Sequence, residues 1–216
     1  TTFVVSLLYI IAQIYATLGF ASDADAWLYV YGTKWFEIIQ WIISINLIGI
    51  MYKYKTYKKL PIFILHLSVI VIFIGAGITR YWGDEGVLHL RIGQETSVIT
   101  LQNKANPADV GILDMGFKVK LDRFVMNKYP GSDQASSYES YVIVTDGKKS
   151  FPYHIYMNHI LNYKGFRIYQ MAYDPDEKGS IFLVGRDPGI FMTYLGYILL
   201  TLGFLLSMFY KKSKFM

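Results

Sequence analysis

The sequence predicts a polytopic α-helical membrane protein: four transmembrane helices with an inserted, mainly antiparallel β domain on the extracytoplasmic side. Three observations carry this. Apolar residues make up 53% of the 216-residue chain and raise its mean hydropathy to +0.30, beyond the range of an ordinary soluble domain. They are gathered in four runs, about 3–20, 35–52, 61–82 and 190–210, each near the ~20 residues that cross ~30 Å of hydrocarbon. Between the third and fourth runs the pattern changes to period-two alternation broken by turn signals.

Residues 1–82 hold the first three helices, because lipid offers no partners for exposed backbone groups and only helices satisfy their own. The run Phe3–Phe20 lacks a basic leading region and is followed by further spans, which argues against a cleaved signal. Residues 83–187 form the β domain. Its alternating stretches are Val87–Ile92, Phe117–Leu121, Ser140–Val144, Pro152–Met157, Phe166–Gln170 and Ser180–Val184. Turn signals at Tyr129–Asp133, Thr145–Lys148, Asn162–Gly165 and Asp174–Gly179 separate them, and a sandwich is the expected arrangement. Residues 188–216 supply the fourth helix and a basic tail.

The net charge of +5 does not indicate nucleic acid. Lys53, Lys55, Lys58 and Lys59 crowd the loop between spans two and three, and Lys211, Lys212 and Lys214 lie in the tail. Those seven exceed the whole excess, while the segment from Tyr81 to Asp187 has a net charge of −1. By the positive-inside rule the lysine loop, the tail and both termini are cytoplasmic, and the β domain lies outside. The chain has no cysteine, hence no disulfide and no thiol chemistry of its own. It also lacks GxxxxGK[ST], HExxH, GxSxG and CxxC, which weakens any reading as a self-contained enzyme or ATP-driven pump.

His66 is the sharpest single feature. It lies about 7 Å along its helix from Pro61, within the cytoplasmic part of the bilayer. An ionisable group inside a span points to function, and neutral imidazole is a good ligand for iron. The alternative is a structural hydrogen bond, to Asn46 or Gln40 of span two for example, and position alone leaves both readings open. His89 shares a strand face with Arg91 and reads as solvated; His154 and His159 are five apart and do not share a strand face. Glu37 is expected to snorkel to the interface, and Gln13 and Asn46 to bond between helices. Gly75-Ala76-Gly77 suits close helix packing.

The strings LPIFILHLSVIVIFIGAGITRYWGDEGVLHLRIGQ, KYPGSDQASSYESYVIV, YMNHILNYKGFRIYQMAYDPDEKG and DPGIFMTYLGYILLTLG, in this order, resemble the ResB/CcsB family of System II cytochrome c biogenesis. The likeness runs from about Leu60 to Gly203 and is closest to the N-terminal half of fused CcsBA synthetases. It implies a component that, with CcsA on the same or a separate polypeptide, exports haem b and supports its attachment to the CXXCH of apocytochrome c. His66, within ILHLS, falls at the position of the family's transmembrane axial haem ligand. The resemblance also implies a thiol-reducing protein as a pathway partner, and a half that contributes no catalytic residue to the haem lyase. Its tryptophan-rich external haem segment has no counterpart here, since Trp27, Trp35, Trp41 and Trp82 are scattered. Two other readings remain at this level: a membrane-anchored scaffold that docks apocytochrome c without ligating haem, and a subunit of an unrelated transporter.

Overall fold

A computed structural model describes residues 2–20, 23–102, 110–131 and 135–210. The lysine-bearing tail and part of the Tyr129–Asp133 turn lie outside the described residues. Two compact units emerge: residues 1–82 with 188–216, and Gly83–Asp187.

The first unit is helical. It comprises α1 (Thr2–Leu18), a single turn α2 (Asp23–Ala26) continued by a π-helical turn (Trp27–Tyr31), α3 (Lys34–Lys53), a 3-10 turn (Thr56–Lys58), α4 (Leu60–Trp82) and α5 (Ile190–Phe209). Among the described residues three helices are long and apolar enough to cross a membrane: α3, α4 and α5; the apolar part of α1, Val4–Leu18, is shorter. At 1.5 Å per residue the 17 residues of α1 span about 26 Å, just under the hydrocarbon thickness. The segment expected as a loop after α1 is helical from Asp23 to Tyr31. Its Val30 and Ala26 pack with Ala12, Ala16 and Phe36, so apolar burial holds it in register.

α4 and α5 pack through missing side chains. Gly189, Gly196 and Gly203 recur every seven residues along α5. A Cβ on Gly196 would come within 2.5 Å of Ile72 Cγ1 and 3.0 Å of the Ile72 nitrogen. With no hydrophobic drive between helices in lipid, such close approach is what holds them together. In the expected glycine patch, Gly75 takes part and is buried against Thr193, whereas a Cβ on Gly77 would meet nothing within 4 Å.

The second unit is one antiparallel sheet of eight strands in the order β5-β4-β3-β2-β1-β8-β7-β6. The strands are β1 (Asp84–Arg91), β2 (Glu95–Gln102), β3 (Val110–Lys128), β4 (Ala135–Asp146), β5 (Lys149–Ile155), β6 (Leu161–Tyr163), β7 (Phe166–Tyr173) and β8 (Gly179–Arg186). β1 pairs with β8 along its full length but with β2 only at Gly86↔Leu101 and Val87↔Thr100. This short joint lets the sheet fold over, so two four-stranded halves face each other across one core. Leu88, Phe182 and Ile168 from one half meet Val119, Leu121 and Val142 from the other. Phe117 of β3 packs edge-on against Tyr163 of β6 with ring centroids 5.1 Å apart. The expected sandwich is thus two layers of one continuous sheet.

β2 and β6 have no counterpart among the expected strands, and β3 is far longer than Phe117–Leu121. Val98, Val110 and Ile112 place apolar side chains on the solvent face, which blurs the alternation. The stretch Pro152–Met157 stops at Ile155, and Tyr156 joins only a single bridge to His159.

Candidate functional site

His66 sits one turn and a half into α4, half-buried. Its Nδ1 lies 2.7 Å from the carbonyl oxygen of Ile62, four residues earlier in the same helix. A carbonyl only accepts, so Nδ1 is the donor of this bond, and no described residue bonds Nε2, the ring's other nitrogen. A backbone carbonyl orients metal-ligating imidazoles in the same way. Its hydrogen bond does not go to span two: the side-chain amide of Gln40 bonds the Tyr9 hydroxyl, and that of Asn46 bonds the Ile42 carbonyl.

The face of α4 that carries His66 is defined by its contacts. Leu65, Ser68, Ile72, Gly75 and Thr79 lie against α5. His66, Phe73 and Arg80 recur at seven-residue spacing and so share another face, well over 100° from the first. Phe73 meets Tyr9 of α1 edge-on at 5.6 Å. The Arg80 guanidinium donates to the carbonyls of Tyr31, of Gly32 (2.8 Å) and of Thr33 (3.2 Å), and its Nε lies 3.4 Å from Glu37. His66 therefore faces the α1–α3 side.

That side holds Tyr9, Gln13, Tyr31, Glu37 and Gln40. Tyr9 OH accepts from Gln13 (2.9 Å) and Gln40 (3.3 Å), while Tyr31 OH donates to Gln13 (3.3 Å). Gln13 does bond between elements as expected, whereas the bond shown for Asn46 stays within α3. Glu37 is tied within the protein. Its carboxylate, 15% exposed, accepts from Tyr81 OH and Lys34 and pairs with Arg80, which ties the start of α3 to the end of α4. Arg80 escaped notice in the sequence because a lone basic residue at a helix end reads as an interfacial charge.

The histidines of the β unit are committed differently. His89 Nε2 lies 2.9 Å from Asp174, and Arg91 donates to the same carboxylate at 3.0 Å and to Asp176. Asp174 is nearly buried at the β7–β8 turn, and a Cβ on Gly179 would fall 2.0 Å from its Oδ2. The face expected as merely solvated is therefore a staple from β1 onto the hairpin, although His89 and Arg91 remain about half exposed. The Arg91 guanidinium holds the Asp176 carboxyl below its usual range. His154 bonds Glu139 at 2.8 Å and stacks on Tyr141, whose other face carries the Arg123 guanidinium at 4.1 Å. His159 donates Nδ1–H to the His154 carbonyl and is sandwiched between Tyr153 and Tyr156.

The motif-rich turns hold the fold. Asp146 accepts from Tyr163 (2.9 Å) and Lys164 (2.6 Å), joining the β4–β5 turn to the β6–β7 turn. The Lys164 ammonium and the Tyr163 hydroxyl keep the Asp146 carboxyl below its ordinary value. Gln170 bonds Ser140 and Ser180 inside the core at 2.7 and 2.6 Å. Among the described residues no three His, Cys, Asp or Glu side chains gather to hold a bare metal ion. A macrocyclic iron asks less of the protein, since its ring supplies four donors and the chain only an axial one.

A family model described as ResB-like matches residues 55–182, more than half of the chain. Protein NrfI of Wolinella succinogenes is 25% identical over a 288-residue alignment that covers 89% of this chain and 32% of NrfI. The chain thus spans about a third of the length of that curated relative. Among solved structures, a cytochrome c haem lyase, CcmF, overlaps 92% of this chain and 33% of its own with a TM-score of 0.43 and 14% identity, a likeness too distant to carry an argument.

Proposed function

The chain belongs to the ResB-like family, and from that premise we propose that it is the haem-delivering membrane component of cytochrome c biogenesis. In this reading His66 supplies one axial ligand to the iron of haem b as the haem crosses the membrane, and a CcsA-type partner supplies the other. The partner, in the same or a separate polypeptide, joins the haem to the CXXCH of apocytochrome c, whose thiols a separate reducing protein keeps free. The observation that carries the reading is the His66 ring itself: held through Nδ1 by the Ile62 carbonyl, with no described residue on Nε2, inside a helix long and apolar enough to cross a membrane. An unpaired imidazole nitrogen in that setting stays costly until it meets a metal or a donor.

The lysine loop at one end of α3 and α4 would lie on the cytoplasmic side and the β unit outside. With His89 on Asp174, His154 on Glu139 and His159 on the His154 carbonyl, the β unit adds no second ligand in this reading; it would meet apocytochrome c. The test is haem content. Purified with its CcsA-type partner, the chain should show a Soret band that falls several-fold in His66→Gly and returns with added imidazole. An unchanged band in that variant would leave the scaffold reading, in which only apocytochrome binding depends on the chain.

A further inference from the structure

The chain joins the β unit to its apolar helices through short links: Gly83 alone between α4 and β1, and three residues between β8 and α5. Asp84 and Arg186 are opposite one another, so both links leave from one end of the sheet. β1 runs away from that end and β2 returns to it. Leu101 lies opposite Gly86, and a Cβ on the glycine would come within 2.5 Å of the Thr100 carbonyl oxygen. β3 starts beside the end of β2, with Val110 opposite Gln102. The open end of the β2–β3 pair therefore points back toward the residues at which α4 ends. Ile99, Met115 and Phe117 of this pair face the core, so Thr100, Val110, Ile112, Asp114 and Lys118 face outward. That outward face changes along its length. Nearest the links it carries Val110 and Ile112, 58% and 74% exposed, with Thr100 opposite Ile112. Farther along, Val98 is opposite Asp114, Lys118 pairs with Glu95 at 3.1 Å, and Lys120 lies opposite Glu95. Polarity rises with distance from the links, whereas a strand face turned to water is polar throughout.

We propose that this end of the β2–β3 pair is a lipid-contacting surface, which seats Val110 and Ile112 in the interfacial layer of the bilayer that α4 and α5 cross. This rests on the membrane-spanning reading of those helices and is independent of haem. Tyr81 and Trp82, both exposed at the end of α4, are residue types that gather in that layer. Gly86 is four residues past Trp82, at most about 14 Å of extended chain. Leu101 is one strand spacing, about 5 Å, to its side. Interfacial segments bury apolar side chains about 5–10 Å into the boundary between headgroups and acyl chains. Branched aliphatic side chains leave water there, and the Lys118–Glu95 pair farther along stays in it. A protein interface would place its apolar residues at the centre of a polar rim; here they gather at one end.

The chain has no cysteine, so a nitroxide on one introduced cysteine reports one site. The full chain is reconstituted in nanodiscs of phosphatidylcholine and phosphatidylglycerol. Collision of each label with oxygen, which concentrates in lipid, is then compared with collision with a neutral, water-soluble nickel chelate. Labels on Val110→Cys and Ile112→Cys should favour oxygen several-fold more than a label on Met157→Cys, a side chain 66% exposed between β5 and β6. The Val110→Cys label should also read deeper than the Ile112→Cys label. All three side chains are exposed, so labelling leaves the core as it is. Ratios for Val110→Cys and Ile112→Cys equal to that for Met157→Cys overturn the proposal. Protection from both reagents overturns it too, in favour of a protein on this face. Ile198→Cys, at an exposed position of α5, reads the premise separately. Lipid there with water at Val110 and Ile112 rejects only the interfacial contact, whereas water at every site rejects the membrane-spanning reading itself.

Discussion

The helical unit and the β unit are held by opposite means. α4 meets α5 where side chains are missing, and its other face meets α1 and α3 through an aromatic contact and a handful of polar groups. In the β unit an apolar core is closed at its ends by cross-links, and each such link ties carboxylates to cations or hydroxyls on another strand. The same residue type shows the contrast: His66 bonds only its own helix, while His89 and His154 each engage a carboxylate. Polar groups in the β unit join strands to one another, whereas the hydrogen bond of His66 stays within α4.

Three changes would break or sharpen that contrast. The largest effect is expected from Gly196→Leu, which drives a branched side chain into the Ile72 backbone and cannot be absorbed by rotamer change. Overpacking of this kind costs about 1–3 kcal/mol or more, and it should appear as loss of the folded detergent-solubilised chain in a thermal size-exclusion assay. Gly77→Leu, on the same helix system but facing open space, should survive that assay.

A middle effect is expected from Asp174→Ala. It removes the acceptor shared by His89 and Arg91, both about half exposed, so the cost should be about 1–2 kcal/mol. Hydrogen exchange should show the loss at the β7–β8 hairpin first, with α4 and α5 unchanged. If the protection of β7 and β8 is unaffected, the staple is ornamental.

The smallest is a pH effect. Asp146 and Asp176 have folded-state pKa values below their ordinary ones, so each adds stability above the unfolded-state pKa that is lost as pH falls through the folded one. Stability of the β unit in denaturant should therefore decline as pH drops below about 4. Asp146→Asn should make that decline shallower while leaving the curve near neutrality parallel to wild type.

Much of this architecture is legible in the chain. α4 and α5 follow from runs of apolar residues too long for anything but a helix. Val87–Ile92 overlaps β1 up to Arg91, and Ser140–Val144 and Ser180–Val184 fall within β4 and β8, because one face of each is buried. β2 and the first half of β3 were hidden by apolar residues on both faces, and β6 by its three-residue length. His66 stands out by itself, since an imidazole among Ile and Leu needs a reason. Asp174 and Glu37 do not, because an acid near a turn or a helix end has a bland explanation until its partners, 83 and 43 residues away, are brought beside it.

The sequence alone determined which segments are apolar enough to leave water, which carry alternating strands, and that one histidine lies among the former. Those follow from composition and period, which are local. The tertiary structure decided which groups line the face of α4 that the histidine shares, how the sheet folds at a two-pair joint, and which charges are tied together. Those depend on contacts between residues far apart in the chain, and no local pattern encodes the partner.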